Sequence, residues 1–294
     1  MRRLAGVRAV ITGKDVPNKK YGTSKSFPET LDESVLCLEK ARFVGDPVAA
    51  VAAIDEELAQ EALQLIDVDY EILPAVFDPE EAMAPGAPLI HDRPNNIAWE
   101  VHHRYGDVEK GFQESDFVRE DEFMAPAQNH AALEPHSAVA SFDPSGKLTL
   151  YSCIQCPYIA LQDLAFVLGL KPRDIRVVSP YIGGGFGGKY QILPLDFCAA
   201  LLSKASGRPV KITYTRQEVF QCTRQRHPMK VHLKTGYNRD GTLVAKQCRI
   251  IGNNGAYNAS GPTIIGRAGA QLSMVYRVKH LEFLGLLVYT NNPV

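Results

Sequence analysis

The stretch Ile175-Arg176-Val177-Val178-Ser179, followed at once by Gly183-Gly184-Gly185-Phe186-Gly187-Gly188-Lys189, decides how the rest of the chain is read. The apolar run predicts a buried strand. Five glycines in the six positions from Gly183 to Gly188 then remove side chains, so that the backbone can lie against another group. Bare N–H groups in a turn are natural donors to an anion or a flat cofactor. A purely structural bend is the plainer alternative, and it stays open at this point.

Two known patterns fit the loop on paper. Gly183-x-Gly185-x-x-Gly188 matches the dinucleotide fingerprint, and Gly183-x4-Gly188-Lys189 matches most of a P-loop. The P-loop needs Ser or Thr after its lysine to hold magnesium, and Tyr190 stands there instead. The dinucleotide fingerprint belongs to a doubly wound parallel sheet, with an acidic residue closing the second strand. The flanks here contain hairpins, and the next acid, Asp196, falls inside the following helix.

Working outward, a helix is expected to start at Pro157, with Leu161, Leu164, Ala165 and Leu168 on one face and Gly169 past its end. Strands are expected at residues 117–123, 137–142 and 148–153, with Asp143-Pro144-Ser145-Gly146 as the turn between the last two. A short helical pattern runs from Gly106-Asp107-Val108-Glu109 to Ser115. Downstream come a helix at 195–204, a strand at 210–214, and a hairpin of residues 229–235 and 242–251 around Asn238-Arg239-Asp240-Gly241. Near the N-terminus, strands at 6–12, 47–54 and 68–73 flank a helix capped by Asp55, with Leu58, Ala62, Leu63 and Ile66 on one face. This predicts a small βαβ-like domain with one packed helix. Pro79, Pro85, Pro88 and Pro94 mark a connecting stretch. The expectation is an α+β protein of mixed sheets and packed helices, divided as 1–78, a linker at 79–104, and 105–294.

Composition narrows the class. A net charge of -1, 22% charged and 45% hydrophobic residues describe a globular chain without the basic stripe of a nucleic-acid or anionic-membrane binder. No apolar run approaches the roughly 18 residues of a membrane span, and Met1-Arg2-Arg3-Leu4-Ala5-Gly6 lacks a secretory h-region, so a cytoplasmic location is expected. Six scattered cysteines suit reduced thiols. Cys153-Ile154-Gln155-Cys156 lacks the second pair that a zinc site wants and the further nearby cysteines of an iron–sulfur site. His130 and His136 fit no ligand spacing and are expected to be structural.

Several stretches, in a consistent order, resemble the molybdenum-binding large subunit of the xanthine dehydrogenase and aldehyde oxidase family. Gly-Gly-Gly-Phe-Gly-Gly-Lys after a strand, with Gln155 near an earlier helix start, resembles its first molybdopterin-binding domain. Gly106-Asp107-Val108, Leu133-Glu134-Pro135-His136 and Tyr289-Thr290-Asn291-Asn292-Pro293 resemble further parts of that domain. Phe43-Val44-Gly45-Asp46-Pro47-Val48-Ala49 and Val68-Asp69-Tyr70-Glu71-Ile72-Leu73-Pro74 resemble the family's hammerhead domain.

The resemblance implies a molybdenum–molybdopterin cofactor, in the plain or the cytosine dinucleotide form, with no protein side chain on the metal. Gln155 matches the glutamine beside the metal's oxygen ligand, and Gly184, Gly185, Phe186, Gly187 and Gly188 match the loop whose N–H groups face the cofactor. Tyr190 stands where purine-oxidising members carry a substrate-binding glutamate, which puts purine specificity in doubt. Arg267 falls where some members carry a substrate-orienting arginine. The implied reaction hydroxylates an aldehyde, a purine or another N-heterocycle with oxygen from water. The implied partners are a later molybdopterin-binding domain, a [2Fe–2S] subunit and an FAD subunit.

The family's general-base glutamate is expected beyond Val294, and residue 1 is expected to fall within the hammerhead domain. The chain alone is therefore expected to be inactive. Two other classes stay open: a degenerate P-loop nucleotide binder, and a non-catalytic assembly module that keeps the fold.

Overall fold

The structure is a computed structural model, and it describes residues 4–22 and 28–294. Met1, Arg2 and Arg3, on which the leader expectation partly rests, lie outside the described residues.

β1 (Val7–Thr12) and β2 (Ala49–Ala53) pair antiparallel. Asp55 caps α1 (Glu56–Gln64) as expected, its carboxylate accepting from the Leu58 N–H at 2.8 Å. The third strand of the expected βαβ unit does not form. Residues 68–73 join no sheet, and Ile72 is 93% exposed. Alternation supplies an apolar face, but a strand also needs a neighbour to pair with, and this segment has none among the described residues. Nor does α1 form a core of its own, since Ala62 is its one buried residue. The β1–β2 ribbon instead buries Ile11 and Ala52 in the core of the glycine-loop region.

α2 (Pro79–Ala82) starts on Asp78, whose Oδ1 accepts from the Glu80 and Glu81 N–H groups. Asn96, fully buried, then organises the proline-rich stretch. Its Oδ1 accepts from Ile90 N–H, and its amide donates to the carbonyls of Ala82 and Pro88, each at 2.9 Å. Beyond Pro94 nothing bars pairing, and β3 (Ile97–Tyr105) runs antiparallel to residues 280–289 near the C-terminus. The last part of the expected linker is thus the edge strand of the largest sheet.

The chain continues through α3 (Val108–Gln113), β4 (Phe117–Ala125), β5 (Gln128–Asn129), β6 (Ser137–Phe142) and β7 (Leu148–Ser152). α4 (Pro157–Leu168) ends on Gly169, whose φ of 68° is a left-handed cap. Next come β8 (Ile175–Val178), α5 (Pro194–Ser206), β9 (Val210–Thr213), α6 (Arg216–Cys222) and β10 (Gln225–Arg226). β11 (Met229–Tyr237) and β12 (Leu243–Gly255) form the expected hairpin. They are followed by α7 (Gly261–Met274) and β13 (His280–Tyr289).

Two main sheets result. One has the order β3-β13-β12-β11-β4, the other β8-β7-β6-β9, and β5 and β10 form a small ribbon. The parallel neighbours are β12 with β13 and β7 with β8, joined through α7 and α4 respectively. Leu148, Leu150, Leu164, Phe197 and Leu202 fill the core of the four-stranded sheet. Ile250, Ile265, Phe283 and Leu287 fill that of the five-stranded sheet.

β8 differs from expectation. It is the edge of its sheet, with Ile175 buried and Arg176 exposed, because only its β7 side is paired. The N-terminal segment is fastened by buried polar bonds. Asp32 accepts from Tyr289 Oη at 2.7 Å and Asn258 N–H at 2.9 Å, and Glu33 pairs with Arg224.

Candidate functional site

Four chain segments meet at one end of the four-stranded sheet, for a topological reason. β7 and β8 are parallel, so their C-terminal ends coincide; β6 is antiparallel to β7, so it begins at that end. β9 is antiparallel to β6 and leaves there as well. Gln155 follows β7, the glycine loop follows β8, Glu134 precedes β6, and Arg216 follows β9. Crevices at the carboxyl ends of parallel strands are where open α/β sheets bind ligands.

The loop is held by side chains that approach its glycines closely. Gln155 Oε1 accepts from Gly187 N–H at 3.1 Å and Lys189 N–H at 3.2 Å, and Gln155 N–H donates to the Lys189 carbonyl at 2.8 Å. A Cβ on Gly185 would lie 2.5 Å from Gln155 Cδ, and one on Gly188 would lie 2.7 Å from His130 Nδ1. The glycines therefore make room for the protein's own side chains, besides freeing the backbone for a ligand. Gly184 and Gly187 take φ of 98° and 91°, and Phe186 takes 52°, which is costly for a residue with a Cβ.

Lys189 Nζ is 1% exposed at the side chain and donates to Glu134 Oε2 at 2.7 Å. Burial alone would raise the Glu134 pKa, but the Lys189 ammonium and the Gly183 N–H outweigh it and hold the carboxyl below its ordinary range. His136 donates through Nε2 to the Gly188 carbonyl at 3.2 Å, and burial pushes its pKa down to about 4. His130 donates through Nδ1 to the Arg224 carbonyl. Both histidines therefore hydrogen-bond to backbone carbonyls. Arg216 donates to the carbonyls of Ala132 and Leu133, steadying the segment that presents Glu134.

Cys153 Sγ accepts from the Ser137 N–H at 3.2 Å, and burial raises its thiol pKa; Cys156 is the N-cap residue of α4. All six cysteines are free thiols.

The structure brings Gln155, the residues 184–188 and Tyr190 together, the last through its N–H to the Gly187 carbonyl at 3.2 Å. Arg267 is exposed on α7, against the other sheet, and shares no hydrogen bond or ion pair with these residues. The N–H groups of Gly184, Gly185 and Phe186 donate to no protein acceptor among the described residues. While Oε1 of Gln155 accepts from the loop, its Nε2 donates to no protein acceptor among the described residues. The site thus offers several neutral donors side by side, which suits a ligand rich in oxygen and nitrogen acceptors. A molybdopterin is such a ligand, and these residues fit it.

The P-loop alternative finds no support in this geometry. Its lysine would have to reach phosphate, whereas Lys189 is buried and held by Glu134. The residues after the lysine run on as loop before α5 opens at Pro194, so no helix N-terminus lies under the glycines.

The sequence pattern described as molybdopterin cofactor-binding domain matches residues 90–294. The chain belongs to that family. A second pattern, the aldehyde oxidase and xanthine dehydrogenase a/b hammerhead domain, matches residues 1–74.

Among members of the molybdopterin-binding family, a probable xanthine dehydrogenase subunit from Bacillus subtilis is 39% identical over 99% of this chain and 38% of its own length. The nicotinate dehydrogenase large molybdopterin subunit of Eubacterium barkeri is 36% identical, over all of this chain and 68% of its own. The solved aldehyde oxidoreductase from Desulfovibrio gigas superposes with a TM-score of 0.92 at 31% identity, over 98% of this chain and 32% of that one. The chain thus spans under two-fifths of the first of these relatives and about two-thirds of the second.

Glu134 is the residue whose role sequence reasoning missed. A buried lysine in a glycine-rich loop needs a carboxylate, but spacing does not say which one, because Glu134 precedes β6 and Lys189 follows β8.

Proposed function

We propose that this chain forms one wall of the molybdopterin pocket in a molybdenum hydroxylase, with Gln155 and the residues 184–188 as the cofactor-facing set. The observation that carries this reading is the row of N–H groups at Gly184, Gly185 and Phe186 that meet no protein acceptor among the described residues, beside the side-chain amide of Gln155, whose Nε2 is likewise unpartnered there. When bound, the cofactor supplies two-electron oxidation of a C–H carbon with oxygen from water.

The chain's own residues bind and orient. The loop N–H groups would hold the cofactor by donating to its acceptor atoms. Gln155 Nε2 would add a donor that carries no charge. Phe186, 75% exposed, offers an apolar face that a bound cofactor would cover. Tyr190 contributes the loop's side of the substrate pocket, with a phenol in place of an acid; this favours an aldehyde or a neutral N-heterocycle over a purine that needs a carboxylate. Arg267 is the second substrate-side residue in this reading.

In this reading the [2Fe–2S] and FAD centres and the choice of a cytosine dinucleotide form belong to other domains or subunits. That a shorter relative is itself called a large molybdopterin subunit supports a divided enzyme. The test is metal and pterin analysis of the protein purified with all its co-purifying subunits. About one molybdenum and one pterin per chain is expected, and a metal-free, pterin-free complex would sink the proposal.

A further inference from the structure

We propose that Glu134 is a positioning residue that sets the shape of the glycine loop and thereby its grip on the cofactor; this rests on the pocket reading above. One oxygen, Glu134 Oε2, accepts from the Gly183 N–H at 2.8 Å and from Lys189 Nζ at 2.7 Å. It ties the first residue of the loop to the last. Glu134 N–H also donates to the Gly183 carbonyl at 3.2 Å, so both backbone groups of Gly183 are fixed by one residue. The approach is close enough that a Cβ on Gly183 would stand 2.6 Å from Glu134 Cβ.

At the far end, Gln155 Oε1 takes the N–H groups of Gly187 and Lys189. Between these two tethers lie the three residues with free N–H groups, and among them is Phe186 at φ 52°. A left-handed phenylalanine persists only where its surroundings over-determine it. Glu134 is half of that constraint. Without it, Gly183 and the Lys189 side chain lose their shared anchor, Phe186 can return to negative φ, and the free N–H groups no longer point the same way.

Lys189 has its own part. Its side chain is buried and its ammonium donates to the same Glu134 oxygen that holds Gly183. A mere charge-balancing pair and a loop clamp make different predictions. If the pair only balances charge, removing both charges together should leave the loop as it was, since apolar replacement of a buried pair is often tolerated. If Glu134 is a clamp, the loop should loosen although the fold survives.

The experiment uses the complete protein with its co-purifying subunits and compares parent, the double variant Glu134→Leu/Lys189→Met, Glu134→Gln and Glu134→Asp. Amide exchange at Gly183 and molybdenum content are measured in each, with melting as a control. The double variant should melt close to the parent, exchange the Gly183 amide about tenfold faster or more, and keep less than about a third of the molybdenum. Glu134→Gln retains a carbonyl oxygen and should hold Gly183 protection better than the double variant does. Glu134→Asp keeps the charge but is one methylene short of reaching both donors. It should lose molybdenum and Gly183 protection in the same sense, and it decides the matter if the double variant fails to fold. Parental exchange and parental molybdenum in the folded variants would overturn the clamp. A parent without molybdenum would instead sink the pocket reading, while the exchange data would still decide whether Glu134 shapes the loop.

Discussion

Gly185→Ala is the sharpest probe of the loop. The new Cβ would lie 2.5 Å from Gln155 Cδ, 2.6 Å from Oε1 and 2.8 Å from Cγ, all far inside contact distance. The backbone at Gly185 has no positive φ, so strain does not arise from the alanine itself. Gln155 is the group that must move. Its side chain is flexible, but moving it gives up the acceptor that serves Gly187 and Lys189. Two hydrogen bonds at about 1 kcal/mol each set a loss of about 2 kcal/mol. At roughly 2–4 °C per kcal/mol for a domain of this size, Tm should fall by about 4–8 °C.

Function should suffer more, because displacing a positioned group by about 1 Å can cost on the order of 100-fold in rate. The assay is thermal melting alongside molybdenum content and kcat/KM of the assembled enzyme. Gly266→Ala is the control: it sits inside α7 with nothing within 4 Å of its would-be Cβ. That change should stabilise by up to about 1 kcal/mol through helix propensity and leave activity alone. Parental Tm and rate in Gly185→Ala would refute the view that the glycines exist to admit Gln155.

Three further outcomes are expected. Glu33→Gln leaves Arg224 buried without its carboxylate and should destabilise by about 3–5 kcal/mol in denaturant melts, whereas replacing both residues with apolar ones should cost far less. His136 has its pKa lowered from 6.5 to about 4 by burial, so the native state binds fewer protons than the unfolded chain. The stability it lends is whole above about pH 6.5 and is lost as pH falls toward about 4. Comparing the parent with His136→Gln in urea melts, the parent should lose about 2 kcal/mol more between about pH 7 and about pH 5, and equal losses would contradict a buried neutral imidazole. Arg267→Ala, at an exposed helical position, should leave Tm and molybdenum content unchanged and act only on KM; a fall in molybdenum content would move Arg267 from the substrate to the cofactor.

Much of the local structure was legible because it depends on local signals. Asp55 and Asp107 mark their helix starts through carboxylates that reach the next turn's N–H groups. Gly169 marks a helix end through φ, and the Asn238-Arg239-Asp240-Gly241 turn marks a hairpin. Residues 68–73 show the limit of such signals: alternation describes a strand's faces, but pairing is settled by whatever lies alongside. β3 misled in the opposite direction, since prolines up to Pro94 coloured the reading of a proline-free strand that begins at Ile97. β8 looked buried from its apolar run and became an edge because the sheet ends there.

The site divides along the same line. The sequence by itself determined that a glycine loop follows a strand, that Tyr190 excludes a magnesium-binding P-loop, and that Gln155 stands at a helix start. All of these are properties of neighbours in the chain. Only the tertiary structure decided that Gln155 turns its oxygen to the loop, that Lys189 is buried rather than offered to a phosphate, and that Glu134 ties the loop's two ends. Those facts depend on strand direction: β6, β7, β8 and β9 run so that four strand ends separated widely in sequence meet at one end of a sheet. Spacing along a chain carries no record of that meeting, because the register and sense of the strands are fixed by the core beneath them.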